Sequence, residues 1–265
     1  MSSITTDQGI LHYEVYGRGH PVILLHGWLG SWGLWRETMT YLGQNYRTYA
    51  LDFWGFGESG RKRSTYKVQD FVSLVNQFMD QLGIASAPLV GHSMGGTVSL
   101  SVALDYPERV EKVVIIGSPI VGSSLALPLK LAGIPINARL LFTFFPLFRA
   151  AMRLASPFIC SDPEFPDLMD RDLSRTTLES FLISIATLRK TDLRPRLNQI
   201  QIPVMGMFGD ADNIVNPQQW KPLQEGLPNA RIERFSQAGH FIMLDEPPLF
   251  LSILKDFLDQ TESKH

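Results

Sequence analysis

The chain has 265 residues, 45% of them hydrophobic and 19% charged, and a formal net charge of −2 at pH 7. That is ordinary globular usage, which excludes a disordered chain, and a near-neutral balance without a long basic run argues against nucleic acid as the main partner. The length suits one large α/β domain, or such a domain carrying an insertion.

Met1 to Asp7 show no basic stretch leading into an apolar one, so no secretory signal is expected. Cys160 is the one cysteine, which precludes an internal disulfide and fits a reducing, cytoplasmic setting. Without a basic neighbour, it reads as a packing residue rather than a thiol catalyst.

Ile10 to Tyr16 alternates as a strand, and Gly17 to Pro21 is a turn. Val22-Ile23-Leu24-Leu25 is apolar at every position, as befits a strand covered on both faces of a parallel sheet. It runs into His26-Gly27-Trp28 and a glycine-rich loop where backbone N–H groups can approach a ligand. The N–H of Trp28 is one candidate oxyanion donor. Tyr46 to Leu51 is the next strand, and Asp52 at its end reads as structural, bonding turn N–H groups. Val68, Phe71, Val72, Val75, Phe78, Met79 and Leu82 recur at helical spacing, with Gly83 as C-cap.

The segment Ala87 to Gly96 carries the chemistry. Ala87-Pro88-Leu89-Val90 is a strand, and Thr97 to Tyr106 is a helix stopped by Pro107. Between them lies Gly91-His92-Ser93-Met94-Gly95-Gly96. A G-x-S-x-G sequence alone is common in ordinary turns, but a strand turning into a helix within one residue strains the apex and needs small neighbours. Ser93 is therefore the candidate nucleophile. The N–H of Met94, at the positive end of the following helix, is the second candidate oxyanion donor.

Val110 to Ile116 is a further strand, after which the βα alternation lapses until about Gln199. The gap is too long and too apolar for a loop, and prolines divide it into helix-like pieces. Its greasiest part, Leu140 to Phe148, is too short to span a membrane. Three roles stand open for it: a lid whose aromatics, Phe144 and Phe145 among them, line an apolar substrate pocket; a dimer or membrane-surface contact; or the insertion's own core.

Ile202 to Phe208 and Ala230 to Phe235 are strands, Pro217 to Leu227 and Pro247 to Leu258 helices. Gly209-Asp210-Ala211-Asp212 and Gly239-His240 follow the two strands. Alternation of this kind implies a parallel, doubly wound sheet with its site at the C-terminal strand ends, where Ser93, Asp212 and His240 converge. A serine hydroxyl needs a base, and an imidazole base needs an acceptor that fixes its tautomer. The remaining histidines lack metal-ligand spacing: His12 and His20 read as surface residues, His26 and His92 as loop-orienting ones.

These motifs in this order make the chain resemble the α/β-hydrolase superfamily, in its capped, serine-nucleophile branch, over essentially the whole length. The resemblance implies a core of about eight strands formed by residues 1–119 and 199–265, with a helical cap, 120–198, inserted after the sixth strand. It places the triad acid at Asp212 rather than Asp210, through the pattern G-x-x-D. Serine at position 93 separates the chain from the aspartate-nucleophile haloalkane dehalogenases and epoxide hydrolases. The implied activity is hydrolysis of an ester or related acyl bond in a small molecule with an apolar portion, without metal or organic cofactor. The alternatives are a carbon–carbon hydrolase, an acyltransferase, or a receptor that retains the triad. His240 followed by four residues and Asp245 matches a pattern of some acyltransferases of the superfamily, although an acidic residue there also suits the start of the last helix.

Overall fold

A computed structural model describes residues 2–60 and 65–260. Eight strands form one sheet: β1 Ser2–Thr6, β2 Gly9–Gly17, β3 His20–Leu25, β4 Tyr46–Leu51, β5 Ala87–His92, β6 Val110–Ile116, β7 Val204–Gly209 and β8 Arg231–Phe235. Their order is β1-β2-β4-β3-β5-β6-β7-β8. β1 and β2 pair antiparallel, β2 also pairs antiparallel with β4, and the strands from β4 to β8 are mutually parallel. β1 lies outside the sequence expectation because Ser2-Ser3-Ile4-Thr5-Thr6 offers one apolar residue and no alternation.

The central parallel strands β3, β5, β6 and β7 are buried on both faces, which is why they read as nearly continuous apolar runs. Ile23, Leu25, Leu89, Val113 and Ile115 enter one core, whereas Val22, Leu24, Val90, Val114 and Ile116 enter the other. That is the period-2 alternation of a strand with two apolar neighbours instead of one. The described α-helices outside the β6–β7 connection are α1 Arg36–Leu42, α2 Val68–Gln81, α3 Met94–Asp105, α9 Trp220–Gly226, α10 Ile242–Asp245 and α11 Pro247–Asp259. α2 and α3 cover the first core; α1, α10 and α11 cover the second. α2 ends where the sequence puts its cap: Gly83, at φ +64°, donates its N–H to Asp80 O, and the Ile84 N–H bonds Met79 O.

The β6–β7 connection holds five α-helices: α4 Leu127–Ala132, α5 Pro135–Thr143, α6 Phe145–Ala155, α7 Phe165–Ser174 and α8 Leu178–Leu188. α5 begins at Pro135, and α4, α6 and α7 each carry a proline as their second residue. Among the described residues, most of the large apolar side chains left in solvent belong here, including Ile136, Leu140, Phe144, Leu147, Leu154 and Phe158. No described helix is long and apolar enough to cross a membrane.

One expectation fails in the sheet. His12, read from sequence as a surface residue, is only 4% exposed. Its Nδ1 is 2.8 Å from Asp52 Oδ2, and the same carboxylate accepts from the Trp32 N–H at 2.6 Å and the Glu58 N–H at 2.8 Å. Burial alone would lower the His12 pKa, but the Asp52 hydrogen bond and the charges of Asp52, Glu58 and Glu14 raise it. Asp52 is thus the structural hub of the turn, as its place at a strand end suggests.

Candidate active site

Register sets the site. Leu25, Gly91 and Ile115 pair in one row across β3, β5 and β6, and Ile116 pairs with Met207 on β7, so the loops after these strands open at one edge. Ser93 caps the turn from β5 into α3 with φ 52° and ψ −118°, a region that L residues enter only under constraint. Its N–H is held by Ile116 O at 2.8 Å. The neighbouring glycines are required by contact: a Cβ on Gly91 would overlap the Gly95 carbonyl, and one on Gly95 would overlap the Leu25 carbonyl of β3.

His240 and Asp212 meet on the adjoining loops. His240 Nδ1 lies 2.7 Å from Asp212 Oδ2, and both side chains are almost fully buried. Asp212 Oδ1 accepts the N–H groups of Ile214 at 2.8 Å and Val215 at 2.9 Å, which fixes the carboxylate plane. A ring that gives its Nδ1 proton to a carboxylate presents Nε2 as the basic lone pair. Asp210, the local competitor, instead makes an ion pair with Arg234 at the surface, 2.8 Å away. Gly117, at φ +55°, leaves room beneath the pair: a Cβ there would sit 3.1 Å from His240 Nδ1 and 3.3 Å from Asp212 Oδ2.

The two remaining buried histidines support loops. His26 Nδ1–H donates to Gly27 O at 2.7 Å, and Nε2 accepts the Phe53 N–H at 3.0 Å, tying the β3 loop to the β4 loop. His92 Nε2–H donates to His240 O at 3.0 Å, and its ring lies 4.6 Å from that of His240. Burial, chiefly, and the neighbouring His240 push the His92 pKa well below its ordinary value, and burial lowers that of His26. Both therefore stay neutral and place no like charge beside His240.

Trp28 and Met94 flank Ser93. A Cβ on Gly27 would lie 3.0 Å from Ser93 Cβ, so the Gly27-Trp28 loop runs directly beside the apex. Met94 is the first residue of α3, and such N–H groups have no acceptor within their own helix. The Trp28 ring is anchored away from the apex: its Nε1–H donates to Phe181 O at 3.3 Å, and the rings are 4.6 Å apart.

Ser93, His240, His92, Gly27 and Trp28 border one cavity of about 880 Å³, counting its opening to solvent. Leu29, Gly30, Leu34, Ile214 and Phe241 extend this side, and the remaining wall comes from the β6–β7 connection, through Leu125, Leu129, Met152, Ile159, Ile185 and Leu188, together with one face of α7. Phe144 and Phe145 are not part of this wall. Phe144 is 56% exposed, and Phe145 stacks on Phe142 at 4.7 Å, which in turn meets Phe181 edge-on. Pro146 lies in the first turn of α6, where its missing N–H costs no helical hydrogen bond.

One other sequence reading changes in detail. Asp245 does not cap α11; its Oδ2 accepts the Gly239 N–H at 2.9 Å, and its Oδ1 accepts the N–H and hydroxyl of Ser161. Cys160 is buried, and burial pushes its thiol up to about 12, which keeps it protonated and unreactive. No cluster of three metal-ligating side chains occurs among the described residues.

Sequence reasoning missed Asp172. It is 4% exposed, borders the cavity, and its Oδ1 accepts from Ser31 Oγ at 2.8 Å. The signal was available: Phe165, Leu168, Met169, Asp172 and Leu173 follow the i, i+3, i+4, i+7, i+8 rule and form the α7 face on the cavity. A carboxylate in an apolar stripe is out of place unless it is used.

A family model described as alpha/beta hydrolase fold matches residues 20–155 and 169–247. The chain belongs to the α/β-hydrolase family. Among the relatives of this α/β hydrolase is a 2-hydroxy-6-oxo-6-phenylhexa-2,4-dienoate hydrolase of Comamonas testosteroni, 30% identical over 95% of this chain and 92% of that protein. Another is a pimeloyl-[acyl-carrier protein] methyl ester esterase of Aliivibrio fischeri, 28% identical over 94% and 98% of the two chains. An esterase from Exiguobacterium antarcticum superposes with a TM-score of 0.84 at 24% identity, over 98% of this chain and 99% of that one. The relatives are hydrolases, and this α/β hydrolase is an enzyme of the same class.

Proposed function

We propose that the enzyme is a serine esterase working through Ser93, His240 and Asp212. The Ser93 oxygen attacks the acyl carbon as His240 Nε2 takes its proton, and the carbonyl π electrons move to oxygen. The N–H groups of Trp28 and Met94 receive that oxyanion. Collapse expels the alcohol, protonated by His240, and leaves an acyl-Ser93 ester. Water, deprotonated by His240, then releases the acid and restores the hydroxyl. Asp212 holds the ring and balances its charge during both transfers. The observation that carries this reading is that His240, held by the buried Asp212, borders the same cavity as the strained Ser93. A fluorophosphonate should label Ser93 stoichiometrically, with no label on Ser93→Ala, and an ester chain-length panel should show a defined optimum. Labelling of the Ser93→Ala protein would refute the assignment.

Carbon–carbon bond cleavage is the second reading, favoured by the Comamonas relative. A dienoate carries a carboxylate, and none of the residues bordering this cavity is Lys or Arg. Ester cleavage therefore ranks first. In this proposal residues 120–198 act as a cap, since they supply most of the wall facing the strand ends. The outer face of that cap is a contact surface for an anionic lipid layer: residues 120–161 contain four basic residues and no acidic one.

A further inference from the structure

We infer that Asp172 sets the substrate class of the cavity: its carboxyl accepts a hydrogen bond from a hydroxyl or N–H group on the substrate and works against substrates that carry a carboxylate there. The inference rests on the Ser93 reading of the site and adds to it what the site selects.

Apart from the groups gathered around Ser93, the cavity wall is apolar, and Asp172 is the one carboxylate among the residues that form it. Pockets of this kind take their specificity from a few polar groups set in an apolar surface. Asp172 is such a group by position. Its Oδ1 is occupied by the Ser31 hydroxyl at 2.8 Å, and no hydrogen bond from the described residues ends on Oδ2. Because Asp172 is on the cavity wall, a substrate donor can reach this carboxylate.

The charges around Asp172 come from several elements. Arg171 on α7 has Nε 3.6 Å from Oδ1, but its guanidinium lies over Gly33, where a Cβ would overlap Nη2, and it is not part of the cavity wall. Asp52, at the end of β4, adds negative charge, and the other titratable groups on the cavity are His92 and His240. Burial, above all, raises the Asp172 pKa to about 7, against the Ser31 hydrogen bond and the Arg171 charge. The group therefore changes charge near neutrality. Repulsion of a substrate carboxylate belongs to the ionised form, whereas either form accepts a hydrogen bond.

A purely structural role is the competing account, since Ser31 follows the Gly27–Gly30 loop and Asp172 lies on the cap, so their bond ties the two together. Substrate comparison separates the accounts. The test uses the full chain and p-nitrophenyl esters of four to eight acyl carbons, ending in methyl, hydroxymethyl or carboxylate, with kcat/KM measured at pH 6 and pH 8.5. At the optimal length the wild type should prefer hydroxymethyl over carboxylate by about tenfold or more at pH 8.5, and by less at pH 6. In Asp172→Asn the carboxylate-to-methyl ratio should rise about fivefold or more at pH 8.5 and lose its pH dependence, while Ser31→Ala should keep the wild-type ratios. Equal changes for all three esters in Asp172→Asn, or the same ratio change in Ser31→Ala, would reduce Asp172 to a tie. A wild-type preference that does not move with pH would also overturn the inference, and that measurement needs no variant to fold. Cleavage of all three esters by Ser93→Ala would instead refute the Ser93 reading, a distinct result.

Discussion

Ser93 holds its hydroxyl at the apex by accepting a backbone conformation that costs on the order of 1–3 kcal/mol. The strain is local, so Ser93→Ala should fold as the wild type does while kcat falls on the order of a millionfold. Near-normal esterase activity in the folded variant would remove Ser93 from the mechanism. Asp212→Asn should lower kcat about ten-thousandfold, because the amide favours the wrong imidazole tautomer. Asp210→Asn should change it little, since Asp210 spends its charge on Arg234; the reverse ranking would show that the acid is misassigned. Asp172 gives a stability signature of unusual sign. Its folded pKa, about 7, lies above the ordinary value, so the native state binds that proton more tightly than the unfolded chain. Stability from this group is present in acid and is lost as pH rises from about 4 through about 7. The Tm of Asp172→Asn relative to wild type should therefore climb between pH 5 and pH 8; a constant difference would place an ordinary carboxyl at this position.

At the scale of elements, the β5–α3 turn and the end of α2 use glycine for different reasons, which substitution separates. Gly83 has open space around it, so Gly83→Ala should cost only the left-handed conformation, about 1–2 kcal/mol. In Gly95→Ala the new Cβ meets backbone of β3, so neighbouring elements must part, at about 3 kcal/mol or more. Urea unfolding of both variants checks the ranking. What could be read in advance follows the same division. α2 was legible because seven apolar residues recur over four turns, and the elbow because steric need dictates its glycines. α1 was not: its seven residues bury only Thr38, Met39 and Leu42, too few to set a period. Ser93 and Asp212 could be named because each follows a strand whose apolar run announces it, and His240 because Gly239-His240 follows the last strand. The wall of the cavity could not, since hydropathy marks Leu140 to Phe148 as apolar without saying which way α5 and α6 are turned. His12 escaped notice for a related reason: its burial depends on Asp52, forty residues further along the chain.

For the whole molecule, the exposed side chains of α5 and α6 define a test of the proposed lipid contact. Ile136, Leu140, Phe144, Leu147 and Leu154 are all more than half exposed, and Lys130 and Arg139 have no ion pair among the described residues. A symmetric dimer through this face would oppose these cations with their own copies, whereas an anionic bilayer would pair with them. The protein should co-sediment with vesicles containing phosphatidylserine and not with pure phosphatidylcholine, and Leu147→Glu with Leu154→Glu should abolish the effect. A concentration-dependent dimer lost in the same variant would assign the face to a second copy. The bond from His92 to the carbonyl of His240, spanning 148 residues, has a consequence for the chain as it is made. At about 5–20 residues per second, roughly 7–30 s separate the emergence of Ser93 from that of His240. In the proposed mechanism the nascent chain carries Ser93 through that interval without a base to activate it, so catalysis would begin only when the last strands join the sheet.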